Sequence, residues 1–304
     1  MRHPLFWPRV NRTIRHALRP IGSQLPVDWQ PRITGTFEVS LDCWHTIQLA
    51  CNPTSFAAKR LFFEGVEGYE PETFHAVRAL APHADVFFDI GANLGYYTLV
   101  AAAYHPTLHI RSFEPLSGAY HFLQRNVRLN ALQQVTCVPC ALSSGCGHDT
   151  FHYTVDPTFA YLEHHLTATG SLDDDASQQY ADQRSCTVAL DTVDHYKEAE
   201  GLATVDLMKL DTEATEHLVL EGAEKTLAND RPVIICEVLP DASGQAVQEI
   251  LKRHDYTFHQ LQRTGGRRRD TIEPSDTTER NYLMVPREDE TSTALVQHAL
   301  AHVQ

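Results

Sequence analysis

From residue 86 onward the chain alternates short apolar runs with helical patterns, which restricts the fold to βαβ units around a mostly parallel sheet. Residues 86–90, 109–113, 135–141, 205–210 and 232–238 read as strands, with helices near 96–104, 116–129 and 214–228. The second helix shows its period in Ala119, Phe122, Leu123 and Val127, and the third in Leu218, Leu220, Ala223 and Leu227. A helix near 243–254 is followed by YTFHQLQR and NYLMVP, two strand-like runs with no helix between them. These predict an antiparallel hairpin joined by the polar loop GGRRRDTIEPSDTTER. The expectation is therefore an α/β, doubly wound, mostly parallel seven-stranded sheet ending in an antiparallel hairpin, with an N-terminal extension.

Two regions stand outside the alternation. Residues 21–80 hold a strand-like ITGTFEVSL and a helical PETFHAVRALAP, and residues 145–195 form an insertion rich in Asp, His, Ser and Thr, including Asp173 to Asp175. Long excursions of this kind are usually lids, substrate loops or tips. The division expected is an extension over 1–64, a main domain over 65–290 and a tail over 291–304.

Formal net charge is −14, which argues against general nucleic-acid binding. The balance is uneven: Arg2, Arg9, Arg12, Arg15 and Arg19 fall in an acid-free N-terminus, interleaved with Leu5, Phe6, Trp7, Val10, Ile14 and Leu18. That arm either packs on the domain or makes peripheral contact with an anionic membrane. No run approaches the length of a membrane span, so a cytoplasmic protein is expected. The seven cysteines are odd in number and scattered, which suits a reducing compartment. Cys137 and Cys140 fall three apart in a strand-like stretch and so point to opposite faces; His164 and His165 read as solvated. No metal site is expected.

The stretch VFFDIGANLGYYTL, residues 86–99, carries the chemistry. Gly91 lets the chain leave the strand, Gly95 lets backbone approach a ligand at a helix start, and Asn93 tolerates left-handed geometry. Asp89, at the mouth of this turn, would repel a pyrophosphate but would welcome an ammonium group. The next strand ends in FEP, which places Glu114 where such folds present an acid to ribose hydroxyls. Both acids suit S-adenosyl-L-methionine.

DIGANLGYYT, FEP, NVRLN with Asn126 and Asn130, KLDTEATEHLVLEGAEKTL and RPVIICEV occur in this order between about residues 65 and 240. Together they resemble the FkbM family of S-adenosylmethionine-dependent methyltransferases. The resemblance implies a class I, Rossmann-like methyltransferase fold and, usually, methyl transfer to an oxygen of a sugar, polyketide or other metabolite, without a metal. Ala214 and Thr215 depart from the family pattern, which commonly has Gly at the position of Ala214. An alanine is harmless there if the backbone is helical and costly if φ must be positive.

Asp89, Gly91, Ala92, Asn93, Gly95, Tyr97, Glu114, Pro115 and Ala141 are the expected cofactor contacts; Asp211 and Glu213, just past the fourth strand, are the expected catalytic pair. Alternatives remain for each. Glu213 also fits a first-turn helix acid, and Asp211 a contact to the cofactor's methionine portion or a metal ligand with Glu237. Glu237 itself is either a partner of Lys209 or a substrate contact. Tyr69 and Glu70 resemble the family's entry segment, which implies that they close over the methionine end, and Arg267, Arg268 and Arg269 are placed to reach an acidic acceptor or simply to face solvent. The function expected is O-methylation of a small-molecule or glycan acceptor. A methyltransferase-like domain that binds without turnover is the alternative, and an NAD-dependent oxidoreductase is disfavoured by the missing middle glycine and by Asp89.

Overall fold

The computed structural model describes residues 26, 29–166, 170–172, 183–239, 243–263, 265–272 and 279–301. The basic arm of residues 1–20 and the Asp173–Asp175 run lie outside them. A hairpin of β1 (Gly35–Ser40) and β2 (Thr46–Cys51) leads into α1 (Phe56–Glu64) and α2 (Pro71–Leu80). The alternation then runs β3 (Val86–Ile90), α3 (Tyr96–Tyr104), β4 (His109–Phe113), α4 (Ser117–Leu129) and β5 (Val135–Val138). Through the insertion come β6 (Ala141–Leu142), β7 (Gly147–Thr154), β8 (Gly170–Ser171) and β9 (Gln183–Asp191), then α5 (Val193–Ala199) and β10 (Leu207–Leu210). After them stand α6 (Glu216–Glu221), α7 (Glu224–Asn229), β11 (Val233–Glu237), α8 (Ser243–Arg253), β12 (Tyr256–Gln262), β13 (Gly265–Arg269), β14 (Asn281–Pro286) and α9 (Glu290–Ala301).

The main sheet has the order β13-β12-β14-β11-β10-β3-β4-β5, with β11 through β5 mutually parallel. Its two faces are both covered, and β3 divides its side chains between them. Phe87 joins the core shared with the N-terminal hairpin and α1 to α3, whereas Val86, Phe88 and Ile90 join the core beneath α6 to α8. Burial on both faces is why this strand reads as a continuous apolar run rather than as an alternation.

Four sequence expectations are corrected. The sheet has eight strands, not seven, because GGRRR pairs with β12 as an edge strand instead of forming a polar loop. At an edge Arg267 and Arg268 reach solvent while Arg269 donates to Gln260 Oε1. β14 then enters antiparallel between β12 and β11, so the two last strand-like runs are neighbours without forming a direct hairpin.

The expected strand 135–141 stops before Pro139, and Ala141 and Leu142 pair instead with β9 in the small four-stranded sheet of the insertion. The helix expected over 214–228 is broken at Gly222 and Ala223. A Cβ at 222 would collide with the carbonyl of Ser143, and the carboxylate of Asp194 accepts from the amides of Lys225 and Thr226 at 2.8 and 2.9 Å, so an outside residue caps a new helix there. His165 is buried rather than solvated, because its segment is drawn onto the start of α4; the ring of His164 stacks on His121 with centroids 4.0 Å apart.

Candidate active site

The parallel register aligns three strand ends into one acidic shelf. Asp89 of β3 lies opposite Lys209 of β10 and Ser112 of β4. It is completely buried; Thr98 of α3 donates to its Oδ2 at 2.6 Å, while Oδ1 has no hydrogen-bond partner among the described residues. Burial pushes the carboxyl upward more than Lys209 draws it down.

The glycine-rich turn is held by its own amides, most of which bond to the end of β4. The amides of Gly91 and Ala92 both donate to Phe113 O, at 3.1 and 2.9 Å, and Gly95 N donates to Ala92 O at 2.8 Å. Asn93, at φ 50°, donates its amide to Glu114 Oε2 at 2.8 Å, and Leu116 N donates to Glu114 Oε1 at 2.9 Å. Glu114 is thereby fixed at the end of β4 and, being buried, is pushed up to about 7. The glycines serve packing as much as approach. A Cβ on Gly91 would collide with Asp211 O, and one on Gly95 would stand 2.7 Å from Leu123 Cδ1. Pro115 follows Glu114 directly, and buried Ala92 lines the turn. Ala141 shares a core with Leu116 and Ala119 at the start of α4.

A second group lies across β10. Lys209 donates to Asp211 Oδ2 at 2.9 Å and its ammonium stands 4.9 Å from the ring centre of Tyr97. The Tyr97 hydroxyl donates to Glu70 Oε2 at 2.7 Å, so the preface is tied to the first turn of α3. Side-chain oxygens of Asp211, Glu213 and Glu237 lie within 4.8 Å of one another. Burial alone would raise Asp211, but Lys209 and a hydrogen bond from Glu237 hold it below the ordinary carboxylate range. Glu213 and Glu237 are driven well upward by burial and by Asp211, and Glu70 to about 7 by burial and the same neighbour.

Asp211 and Glu213 thus stand together, as the strand-end position suggested, while Asp89 and Glu114 stand on the adjacent β3 and β4. Glu213 precedes α6 instead of lying in its first turn, and it holds φ 55° with Ala214 at φ 82°. Glu70, expected near the methionine end, is tied to the first turn of α3 through Tyr97, and Glu216 is the acid that sequence reasoning left without a role. Glu216 accepts from the amide and hydroxyl of Thr212 at 2.8 and 3.0 Å and so closes the turn that carries Asp211 and Glu213; the acid-rich spacing of KLDTEATE was the available signal. Arg267 to Arg269 lie on the edge strand, with β12, β14 and β11 between them and β10.

The chain matches the Methyltransferase FkbM domain over residues 89–258, which takes in the turn and the strand-end acids Asp89, Glu114, Asp211, Glu213 and Glu237 and ends within β12. It belongs to that family. Among relatives, it is 25% identical over 251 residues to the AMB antimetabolite synthetase AmbE of Pseudomonas aeruginosa, a match covering 72% of this chain and 11% of that one. It is 27% identical over 193 residues to the 31-O-demethyl-FK506 methyltransferase FkbM of Streptomyces tacrolimicus, covering 57% and 73% respectively. The crystal structure of methyltransferase FkbM from Methylobacillus flagellatus aligns with a TM-score of 0.42 at 14% identity, over 78% of this chain and 56% of that chain. The match to AmbE therefore takes in about a tenth of that synthetase.

Proposed function

We propose that this chain is an S-adenosylmethionine-dependent methyltransferase that methylates a hydroxyl oxygen of a sugar, polyketide or other small metabolite. The observation that carries the choice of cofactor is the use of the turn's own amides. Gly91, Ala92, Asn93 and Gly95 all spend their N–H groups inside the protein, so these four offer nothing to a pyrophosphate. A dinucleotide is disfavoured on that ground, and further by the carboxylates around it. Asp211, Asp89 and Glu70 gather about one buried ammonium, Lys209, while Glu213 and Glu237 crowd against Asp211 and Glu70, with Arg280 acting on Glu213. Such a donor set, with Asp89 Oδ1 unpaired, fits a ligand bearing a sulfonium and an ammonium.

In this reading Glu114 accepts from the ribose hydroxyls, and Glu70 and Asp89 balance the ammonium end. The bound cofactor supplies a methyl group on an already activated leaving group, so the protein's task is alignment and exclusion of water. Asp211, ionised by Lys209, is a weak base and orients the acceptor. Glu213 or Glu237, held upward by burial and by Asp211, would be brought into its carboxylate form by a cation beside it and would then be placed to take the hydroxyl proton.

Calorimetric titration with S-adenosylhomocysteine tests the cofactor assignment. Micromolar binding is expected, weakened at least about tenfold by Glu114→Ala, on the order of 1.4 kcal/mol; absence of binding by the folded protein would remove the proposal. Label transfer from methyl-tritiated S-adenosylmethionine to a panel of hydroxyl-bearing acceptors then separates an enzyme from a domain that binds without turnover.

A further inference from the structure

Outside the acidic shelf, one cluster joins a thiol, an imidazole and a carboxylate. Cys146 lies in the turn between β6 and β7, Asp191 ends β9, and His195 stands in the first turn of α5. Cys146 Sγ donates to Asp191 Oδ1 at 3.3 Å, His195 Nδ1 lies 2.7 Å from the same oxygen, and the three ligand atoms fall within 4.8 Å of one another. We propose that Cys146, Asp191 and His195 form a zinc site of three protein ligands with a fourth position open to water.

The donor chemistry favours zinc. One thiolate, one imidazole and one carboxylate are borderline-soft and differ from the oxygen-only sets that calcium and magnesium take. Zinc needs contacts of about 2.0–2.3 Å to such atoms in a tetrahedral array, and ligand atoms within 4.8 Å of one another leave room for an ion among them. The backbone holds the donors before any ion arrives. Thr192 N donates to Asp191 Oδ1 at 2.8 Å, His195 N donates to Thr192 Oγ1 at 3.0 Å, and Ser143 N donates to Asp191 O at 2.8 Å. His195 and Cys146 are exposed, so an ion has a path in.

Binding replaces the thiol proton by the metal, with that one proton released to solvent, and the imidazole proton that Nδ1 shares with Asp191 is exchanged through water to Nε2, which frees Nδ1 to ligate. No oxidation state changes. The consequence is structural: the ion clips the β6–β7 turn to the start of α5, where the insertion's small sheet meets the main domain. This site is separate from the cofactor reading and stands or falls without it.

Cobalt substitution in the metal-free full-length chain is the test, because a thiolate ligand gives a near-ultraviolet charge-transfer band that oxygen ligands do not. One equivalent of cobalt should raise the band, zinc should bleach it, and Cys146→Ser should abolish it. His195→Ala should weaken cobalt binding by more than the roughly tenfold that outer-shell partners command. Circular dichroism checks that each protein is folded. Uptake without the band, a band retained in Cys146→Ser, or undiminished affinity in His195→Ala would each overturn the proposal. Should Cys146→Ser fail to fold, protection of Cys146 from alkylation by zinc in the wild type, read by peptide mass, decides instead: protection supports the site and unaltered alkylation overturns it.

Discussion

Ala214 holds φ 82° directly after Glu213 at φ 55°, two left-handed residues in succession without a glycine. Side-chain-bearing residues resist that geometry by roughly 1–2 kcal/mol each, so the turn that presents the acceptor-side acids is strained. Glycine at 214 would relieve one share while giving up a buried methyl group. Ala214→Gly is expected to stabilise the protein by about 0.5–1 kcal/mol, read as a rise in the denaturant midpoint. Glu70 permits a second residue-scale prediction. Its carboxyl is raised from 4.5 to about 7, chiefly by burial, so the folded protein holds this proton more tightly than the unfolded chain does. The stability it contributes is complete below pH 4.5 and is lost as pH rises through about 7. Glu70→Gln cannot ionise. The variant should therefore gain on the wild type between pH 4.5 and 7, by on the order of 1–3 kcal/mol, and hold that lead above it. His121, His165 and His259, whose lowered values act in the opposite direction, are common to both proteins and leave the difference unaffected.

Among elements, the contact that most depends on a missing side chain joins the ends of β3 and β10. A Cβ at Gly91 would occupy the space of Asp211 O, and the residue also sits at φ 77°. Gly91→Ala should force β3 and β10 apart at their site ends, costing about 3 kcal/mol or more by thermal or chemical unfolding. A loss below about 1 kcal/mol would show that the strand ends yield easily. The same two strands explain what could be read from sequence. β3, α3 and β4 have the limits their apolar patterns indicate, and Asp89, Glu114 and Asp211 could be placed at strand ends because local period fixes where a strand stops. β13 could not be foreseen, since its arginines join a sheet only through the backbone of β12. Nor could the break in the 214–228 helix, which depends on Ser143 and Asp194 from distant segments. Glu70 is legible only in part: its place beside the methionine end follows from the family resemblance, but its bond from Tyr97, made with the backbone at φ 41°, is one that no local pattern encodes.

At the scale of the whole molecule, the N-terminal hairpin is joined to the FkbM domain by two asparagines acting as a substitute strand. Asn126 accepts from Ala50 N at 2.7 Å and donates to Ala50 O at 3.2 Å, and Asn130 makes the same pair of bonds to Gln48, at 2.8 and 2.7 Å. The match is geometric: four residues of helix rise about 6 Å, and two residues of strand span about 6.6 Å. NVRLN on α4 thereby covers the edge of β2 that would otherwise expose unpaired backbone groups. Asn126 does more than Asn130, because its amide also donates to Leu94 O at 2.8 Å and so holds the glycine-rich turn. Asn126→Ala leaves buried backbone groups of Ala50 and Leu94 without these partners and should cost about 2–4 kcal/mol. Asn130→Ala, at a half-buried position where water can replace the amide, should cost about 1 kcal/mol. The two should also separate in ligand binding. Loosening the turn predicts weaker S-adenosylhomocysteine binding for Asn126→Ala, whereas Asn130→Ala, which loses bonds to Gln48 and to Asn126 O but none to the turn, should bind as the wild type does. Equal affinities across all three folded proteins by calorimetry would show that the turn keeps its shape without the hairpin, and that the extension serves stability alone.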